Sequence, residues 1–145
     1  MTAWAFEREQ EVRFGHCDPA GIVFYPRYFE MLNELVEDWF AQALGLSFDD
    51  LIGRRGIGLP TARLDTRFLR VSRHGDRLVQ RLHLERLGRS SLTLRTAFIG
   101  KDDEVDAPRV EYMQVLVCTS LKTHRPQAFP DDLRRALASA QDPTP

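Results

Sequence analysis

The sequence predicts an α+β fold in which an antiparallel β-sheet wraps around one long apolar helix. Two observations carry this prediction. An uninterrupted helical pattern runs from Arg27 to Leu44, and four alternating polar and apolar segments follow it with short turns between them. A helix with a wide apolar face must bury that face against another layer. The four alternating segments indicate that this layer is a β-sheet.

The composition predicts one domain with a hydrophobic core of its own. The chain has 145 residues, of which 43% are hydrophobic, so its core needs no disulfide or metal to stabilise it. Twenty basic residues nearly balance 21 acidic residues, which argues against nucleic acid or a membrane as the main partner. We expect a single domain over residues 1–140 and a disordered tail over residues 141–145.

The cysteines and histidines predict neither a disulfide framework nor a metal site. Two cysteines, Cys17 and Cys118, are too few for a zinc set. His74, His83 and His124 lack metal-ligand spacing, so we interpret them as surface or core residues. The N-terminus lacks the pattern of a signal peptide, and no apolar run is long enough for a bilayer. We therefore expect a cytoplasmic protein without a cofactor.

The first half of the chain is predicted to form a strand, a loop and the long helix. Arg8 to Phe14 alternates between polar and apolar residues, which indicates a strand. A loop over Gly15–Tyr25 follows. Pro26 suits the first helical turn, where its missing N–H costs nothing. Gly45 is typical of the residue that ends a helix.

The second half is predicted to form mainly strands. Four ranges show strand patterns: Leu59–Val71, Arg77–Leu87, Ser91–Gly100 and Pro108–Leu121. Four consecutive strands with short turns predict an antiparallel meander in chain order. Short helices are predicted over Phe48–Gly53, with Ser47 as its capping residue, and over Leu133–Ala140.

One carboxylate stands out because of where the loop places it. Asp18 lies in a Pro/Gly loop, seven residues before Tyr25 and the start of the long helix. A helix N-terminus offers unpaired N–H groups and a positive partial charge, and an acid offers a nucleophile or a base. An aspartate before a helix also commonly forms an Asx-turn or a helix cap. The residue alone leaves both interpretations open.

The fifteen residues Phe14–Tyr28, FGHCDPAGIVFYPRY, resemble the active-site segment of the 4-hydroxybenzoyl-CoA thioesterase family. These proteins are acyl-CoA thioesterases with the hotdog fold, and the similarity in element order extends over roughly residues 8–125. The resemblance implies a five-stranded antiparallel sheet curled around the helix. It also implies homodimers with joined sheets, often paired into tetramers, and active sites at the dimer interface.

The resemblance also implies roles for three residues around the loop. Asp18 falls where the family has its catalytic aspartate, which either attacks the thioester carbonyl to give an anhydride or deprotonates water. Backbone N–H groups at the helix start, placed at Tyr25, would polarise the carbonyl oxygen. His16 stands where related sequences often have an acid, and it would tune Asp18 or contact the substrate.

Further residues are implied to bind the acyl group and CoA. Asn33 lies where members specific for 4-hydroxybenzoyl groups carry an acid that faces the substrate hydroxyl. An amide could still bond a phenol, so aromatic, short-chain and medium-chain acyl groups all stay open. In the family the hairpin region contributes to binding the CoA nucleotide, and arginine and serine suit phosphate contacts. The implied hairpin residues are Arg86, Arg89, Ser90 and Ser91.

Three other functions stay open for the same fold. The thioester donor could be acyl carrier protein, and the chain could be a non-catalytic acyl-CoA-binding domain. A hotdog dehydratase or hydratase would need a catalytic histidine with its carboxylate, and no histidine follows Asp18 before the helix. The Asp-Pro-Ala-Gly loop favours hydrolysis of an acyl-CoA.

Overall fold

The computed structural model describes residues 4–141 and contains one five-stranded antiparallel sheet that packs on a long helix. The main sheet contains β1 (Phe6–Glu11), β3 (Thr61–Phe68), β4 (Arg77–Leu87), β5 (Ser91–Gly100) and β6 (Val110–Val117). A small second sheet pairs β2 (Ile57–Gly58) with β7 (Thr119–Ser120). The helices are α1 (Tyr25–Asp38) and α2 (Asp131–Gln141). The predicted α+β class and five-stranded antiparallel sheet are confirmed.

The predicted meander in chain order is wrong for its first strand. The sheet order is β1-β4-β5-β6-β3, so only β4, β5 and β6 follow one another as predicted. A strand has two edges for pairing, and β4 uses them for β5 and for β1, with Phe6 opposite Leu82. β3 therefore pairs with β6, and Phe68 lies opposite Val110 at that edge of the sheet.

The long helix forms as the sequence predicts. It begins at Tyr25, two residues earlier than expected, and Pro26 occupies its first turn. Beyond Asp38 the helix continues through a wider π-helical segment, Trp39–Leu44. Gly45 ends it with a φ of 73°, a left-handed conformation that glycine adopts without a steric cost.

The core lies between α1 and the inner face of the sheet. Its helix side consists of buried apolar residues from α1, and β4, β5 and β6 supply the facing residues. Burying one such large apolar side chain stabilises the fold by about 1.5–3 kcal/mol. The buried residues of α1 are Tyr28, Met31, Leu32, Leu35 and Val36.

Arg8 fastens α1 to the sheet. Its guanidinium donates hydrogen bonds to the Asp38 carboxylate and to the side-chain oxygen of Gln80, each at 2.6 Å. Because Asp38 ends α1 and Gln80 lies on β4, this contact fixes the C-terminal end of the helix against the sheet.

Several element boundaries differ from the prediction. β1 ends at Glu11, and Phe14–His16 forms a 3-10 turn instead of continuing the strand. The chain leaves the sheet here because β4 begins at Arg77, which is the last partner of β1. The predicted strand over Pro108–Leu121 divides into β6 and β7.

The remaining differences concern short elements. The strand predicted over Leu59–Val71 is shortened to β3, and the helix predicted over Phe48–Gly53 is a π-helical turn over Asp49–Arg54. Gln141, predicted as the first residue of the tail, ends α2, and residues 142–145 of the predicted tail lie outside the described residues. Over residues 4–141, no helix combines the length and apolar character needed to cross a bilayer.

Candidate active site

The loop before α1 folds into a narrow hairpin with Asp18 at its turn. Cys17 pairs with Val23 in an antiparallel bridge, and the Asp18 amide donates a hydrogen bond to the Ile22 carbonyl oxygen at 3.0 Å. The Gly21 amide closes the turn on the Asp18 carbonyl oxygen at 2.9 Å. Gly21 has a φ of 81°, which explains why a glycine stands there.

The Asp18 carboxylate uses one oxygen within this turn. Its Oδ1 accepts a hydrogen bond from the Ala20 amide at 2.8 Å, which is an Asx-turn. Among residues 4–141 the carboxylate makes no ion pair and no further hydrogen bond. It does not cap α1, because the capping residue is Phe24 and no side chain caps that end. The turn therefore fixes the carboxylate and leaves Oδ2 available.

The first turn of α1 leaves the backbone donor of Tyr25 available. The Phe24 amide donates to the His16 carbonyl oxygen at 2.9 Å, and the Arg27 amide donates to the Phe24 carbonyl oxygen at 2.8 Å. Pro26 has no amide hydrogen. Within the described part of the chain, the Tyr25 amide has no acceptor. An unpaired N–H at the positive end of a helix suits a developing negative charge.

His16 braces the base of the loop. Its Nδ1 accepts a hydrogen bond from the Arg13 amide at 2.8 Å, and partial burial lowers its pKa. Both observations indicate a neutral imidazole with its proton on Nε2. The His16 carbonyl oxygen accepts the Phe24 amide hydrogen next to the hairpin Cys17–Val23, and the Nε2–H of His16 remains available as a donor.

Asp18 opens onto a cleft of about 520 Å³. The other lining residues are Phe14, Cys17, Pro19, Gly21 and His74. His74, which the sequence indicates as a surface or core residue, is exposed in the turn before β4. An antiparallel bridge between Ile22 and Arg73 brings this turn next to the hairpin Cys17–Val23. Only the tertiary pairing places His74 in the same cleft as Asp18, so the sequence carries no local signal for it.

A second, aromatic cavity of about 220 Å³ adjoins Tyr25. Phe68, which is 50% exposed, has its ring centroid 6.2 Å from that of Tyr25 and 6.0 Å from that of Tyr28. Sequence reasoning assigned Phe68 to one face of a strand and missed this contribution to the cavity.

Asn33 lies on the same side of α1 as Tyr25 and Phe29, because the three residues are spaced four apart. Its side chain is exposed. Eight residues separate it from Tyr25, which corresponds to about 12 Å along the helix. The Phe29 ring lies between them and contacts Phe68 at 6.1 Å between centroids. Asn33 therefore extends an aromatic ridge that begins at Tyr25.

Two polar contacts hold the walls of these cavities. The Tyr112 hydroxyl donates a hydrogen bond to the Tyr28 carbonyl oxygen at 2.9 Å, which ties α1 to β6. The Arg109 guanidinium donates to Asp76 at 2.7 Å and to Asp103 at 2.9 Å. These bonds hold the segment between β3 and β4, and the bond from Arg109 lowers the pKa of Asp103.

The predicted CoA-binding hairpin lies at the other end of the sheet. It joins β4 to β5, whereas the Asp18 cleft adjoins the start of β4. The ten residue steps along β4 correspond to roughly 33 Å. The Arg86 and Arg89 side chains are exposed, and Ser90 and Ser91 are half-buried. Within one chain, His16, Asp18 and Tyr25 therefore lie in the loop before α1 and its first turn, far from the hairpin between β4 and β5.

Residues 4–141 contain no preformed metal site. No group of three or more histidine, cysteine, aspartate or glutamate side chains in that range is arranged to hold an ion. Cys17 and Cys118 are both free thiols.

Comparison with known proteins assigns the chain to a family. A model of the thioesterase-like superfamily matches residues 12–137. A 1,4-dihydroxy-2-naphthoyl-CoA hydrolase from Thermosynechococcus vestitus is 28% identical over 135 residues, which cover 92% of this chain and 89% of that protein. A 4-hydroxybenzoyl-CoA thioesterase from a Pseudomonas species is 28% identical over 88 residues, covering 60% of this chain and 62% of that protein.

The fold agrees with this assignment. A solved 1,4-dihydroxy-2-naphthoyl-CoA thioesterase from Synechocystis superposes with a TM-score of 0.82 at 20% identity, covering 92% of this chain and 95% of that one. The sheet that curls around α1 is the hotdog fold that the Phe14–Tyr28 motif predicts. The chain belongs to the thioesterase-like superfamily.

Proposed function

We propose that this protein hydrolyses an aromatic acyl-CoA thioester to a carboxylic acid and CoA, with Asp18 as its catalytic carboxylate. The observation that carries the proposal is that two groups in residues 18–25, the segment that leads into α1, have hydrogen-bonding capacity left unused. The Asp18 carboxylate opens onto a cleft with Oδ2 unpaired, and the Tyr25 amide lacks an acceptor within residues 4–141. Two relatives are named as hydrolases of aromatic acyl-CoA thioesters, which supports the substrate class.

The two groups have complementary chemical roles in thioester hydrolysis. Asp18 either attacks the carbonyl carbon to form an anhydride or removes a proton from the attacking water. In both routes the carbonyl oxygen becomes negative, and the Tyr25 amide stabilises it at the positive end of α1. A single donor of this kind is worth about 2.7–4 kcal/mol of transition-state stabilisation. The Nε2–H of His16 is proposed to contact the substrate beside Asp18.

The acyl group is proposed to lie along the ridge of α1 that carries Tyr25, Phe29 and Asn33. Phe68 contacts Tyr25 and Phe29 from the sheet, so the ridge presents aromatic faces to a ligand. Offset and edge-to-face contacts between aromatic rings favour a benzoyl or naphthoyl group over an alkyl chain. The Asn33 amide, at the far end of the ridge, offers a hydrogen bond to a ring hydroxyl.

A homodimer completes the site in this proposal. β3 is an edge strand of the sheet, and unpaired edges are templates for pairing with a second chain. The β1 edge carries Glu7, Glu9 and Glu11, whereas the charged residues of β3 are of both signs: Arg63, Asp65 and Arg67. Exposed apolar residues accompany the β3 edge and the segment after it: Leu64, Phe68, Leu69 and Val71.

Antiparallel pairing of two β3 strands would bring the two distant parts of the site together. The Phe68 end of β3 adjoins the Asp18 cleft, and the Thr61 end adjoins the hairpin between β4 and β5. A two-fold axis reverses the second strand, so the hairpin of a second copy would lie at the Asp18 end. Its Arg86, Arg89, Ser90 and Ser91 would then meet the CoA phosphates. The proposed assembly is this dimer or a tetramer of two dimers.

A substrate panel tests the proposed reaction. Purified protein is assayed with benzoyl-CoA, 4-hydroxybenzoyl-CoA, 1,4-dihydroxy-2-naphthoyl-CoA and hexanoyl-CoA, and with 4-hydroxybenzoyl acyl carrier protein. The proposal predicts the highest kcat/KM for an aromatic CoA thioester. Faster hydrolysis of hexanoyl-CoA would contradict the aromatic site, and faster hydrolysis of the carrier-protein thioester would contradict CoA as the donor. Tight binding of CoA thioesters without turnover would indicate a non-catalytic domain.

A further inference from the structure

We propose that His74 is the general acid that protonates the departing CoA sulfur. The inference rests on the proposed hydrolysis, and it assigns a role to a residue that the Phe14–Tyr28 motif does not include. The sulfur of an alkyl thiol has a pKa of about 8.5, as in cysteine, so a proton delivered during C–S cleavage assists its departure near neutral pH.

His74 and Asp18 line the same cleft from two different segments of the chain. Asp18 belongs to the hairpin Cys17–Val23, and His74 belongs to the turn that leads into β4. The intervening wall is the main chain of Ile22, which accepts the Asp18 amide hydrogen and pairs with Arg73. Two strand spacings therefore separate the main chains of Asp18 and Arg73, about 10 Å in total. A thioester group fits across a gap of this width, in the cleft that both residues line.

The two walls are joined rigidly. The Val23 amide donates to the Ser72 carbonyl oxygen at 3.0 Å, and the Gly75 amide donates to the Val12 carbonyl oxygen at 2.8 Å. The Asp76 carboxylate accepts a hydrogen bond from the Arg73 amide at 2.9 Å and another from Arg109 at 2.7 Å. His74 is thus held between fixed residues on both sides, as a group that acts on a bound substrate must be.

The imidazole of His74 is oriented by one aromatic contact and has no competing polar partner in residues 4–141. Its ring packs edge-on against Phe14 at 5.9 Å between centroids, and no hydrogen bond or ion pair engages its nitrogens there. Asp18 is the carboxylate that shares its cleft. Histidine is the side chain best suited to donate and accept protons near neutral pH.

The proton transfers balance with this assignment. In the general-base route, Asp18 takes a proton from water as the new C–O bond forms. The tetrahedral intermediate then collapses, the C–S bond breaks, its electron pair goes to sulfur, and His74 supplies the proton that makes the thiol. Asp18 loses its proton to solvent and His74 regains one. In the anhydride route His74 protonates sulfur in the first step, so its role is the same.

A leaving-group comparison tests the assignment. The substrates are 4-hydroxybenzoyl thioesters of N-acetylcysteamine, a weakly acidic alkyl thiol, and of 4-nitrothiophenol, whose thiolate leaves without protonation. His74→Gln is expected to lower kcat about 10²-fold on the first substrate. On the second substrate its kcat is expected to stay within about threefold of wild type, because no general acid is needed. His124→Asn, at an exposed histidine with a φ of 57° that asparagine tolerates, is the matched control.

Each outcome decides between the two proposals. Equal losses on both thioesters would show a structural role for His74 and overturn the inference, as would no loss on either. If wild type is active and Asp18→Asn loses about 10²–10⁴-fold in kcat on both substrates, the proposed function stays intact whatever His74→Gln does. A wild type that hydrolyses no acyl thioester would overturn both proposals.

Discussion

Asp18 and Arg89 lie at opposite ends of the five-stranded sheet, separated by the length of β4. The ten residue steps of that strand correspond to roughly 33 Å. A carboxylate proposed to attack the thioester and an arginine proposed to bind the CoA phosphates therefore do not meet within one chain. Pairing of two β3 edges in antiparallel orientation is the arrangement that would bring one copy's Asp18 to the other copy's Arg89.

The dimer is tested at Leu64, an exposed apolar residue on β3. Leu64→Glu is expected to separate the β3 edges, because two like charges would be buried across the two-fold axis. Light scattering after size exclusion should show a halved mass, with loss of thioesterase activity. Leu121→Glu is the control, because Leu121 is 38% exposed and Leu64 is 36% exposed. An unchanged mass for Leu64→Glu would contradict pairing through β3.

The proposed CoA-binding role of the hairpin between β4 and β5 is tested with a substrate that lacks the nucleotide. Arg89→Ala should raise KM for the best acyl-CoA by about tenfold or more, since a hydrogen bond to a charged group contributes about 1.5–3 kcal/mol. KM for the N-acetylcysteamine thioester of the same acid should not change. Arg95→Ala removes an exposed arginine that pairs with Glu85 on the outer face of the sheet, and it is the matched control. Equal KM increases for both substrates would contradict phosphate binding by Arg89.

Asn33 is tested by the preference between two ring substituents. Asn33→Ala should lower the ratio of kcat/KM for 4-hydroxybenzoyl-CoA over benzoyl-CoA about tenfold, because one hydrogen bond to the ring hydroxyl is lost. Gln42→Ala, at another exposed amide later in the same helical run, should leave the ratio unchanged. If Asn33→Ala also leaves it unchanged, Asn33 is a solvent-facing residue without a role in specificity.

The ion pair between Arg55 and Asp132 predicts a pH-dependent contribution to stability. Arg55 donates hydrogen bonds to Asp132 at 2.8 and 2.9 Å, and these lower the pKa of Asp132 to about 2. An unfolded aspartate has a pKa of about 3.9. Because the folded pKa is the lower one, the contribution is complete above about pH 4 and is lost as the pH falls through about 2.

The pair is partly exposed, so solvent screening keeps its contribution to stability small. Asp132→Asn keeps the side-chain oxygen that accepts the Leu133 amide, and it removes both the charge and the second oxygen, which accepts a hydrogen bond from Arg55. Its free energy of unfolding in urea should fall below that of wild type at pH 7, and the two values should converge near pH 2. Asp131→Asn is the neighbouring control. A difference that grows as the pH falls would contradict the assignment.

The sequence predicted the parts of this molecule that depend on local chemistry. The apolar spacing of α1, Pro26 in its first turn and Gly45 at its end are set by backbone geometry that any helix obeys. The hairpin between β4 and β5 was equally predictable from its alternation and its Gly-containing turn. The Asp18 loop was found because its whole motif resembles an active-site segment.

Long-range pairing was beyond the same reasoning. The sequence indicated that β3, β4, β5 and β6 pair in chain order. In the structure β1 and not β3 pairs with the free edge of β4, and no local sequence pattern indicates this choice. His74 and Phe68 reach the two cavities only through that topology, because the segment between β3 and β4 folds back onto the Asp18 hairpin. The partners of a side chain across the fold cannot be derived from its neighbours in sequence.

Hydrolysis by Asp18→Asn tests the central claim most directly. Asparagine can accept the same hydrogen bond from the Ala20 amide through its side-chain oxygen, so the turn should be retained while the base or nucleophile is removed. On the best acyl-CoA of the panel, kcat should fall about 10²–10⁴-fold, and Asp102→Asn, at an exposed aspartate in the turn after β5, should match wild type. Near-wild-type kcat for Asp18→Asn would contradict the assignment of Asp18 as the catalytic carboxylate.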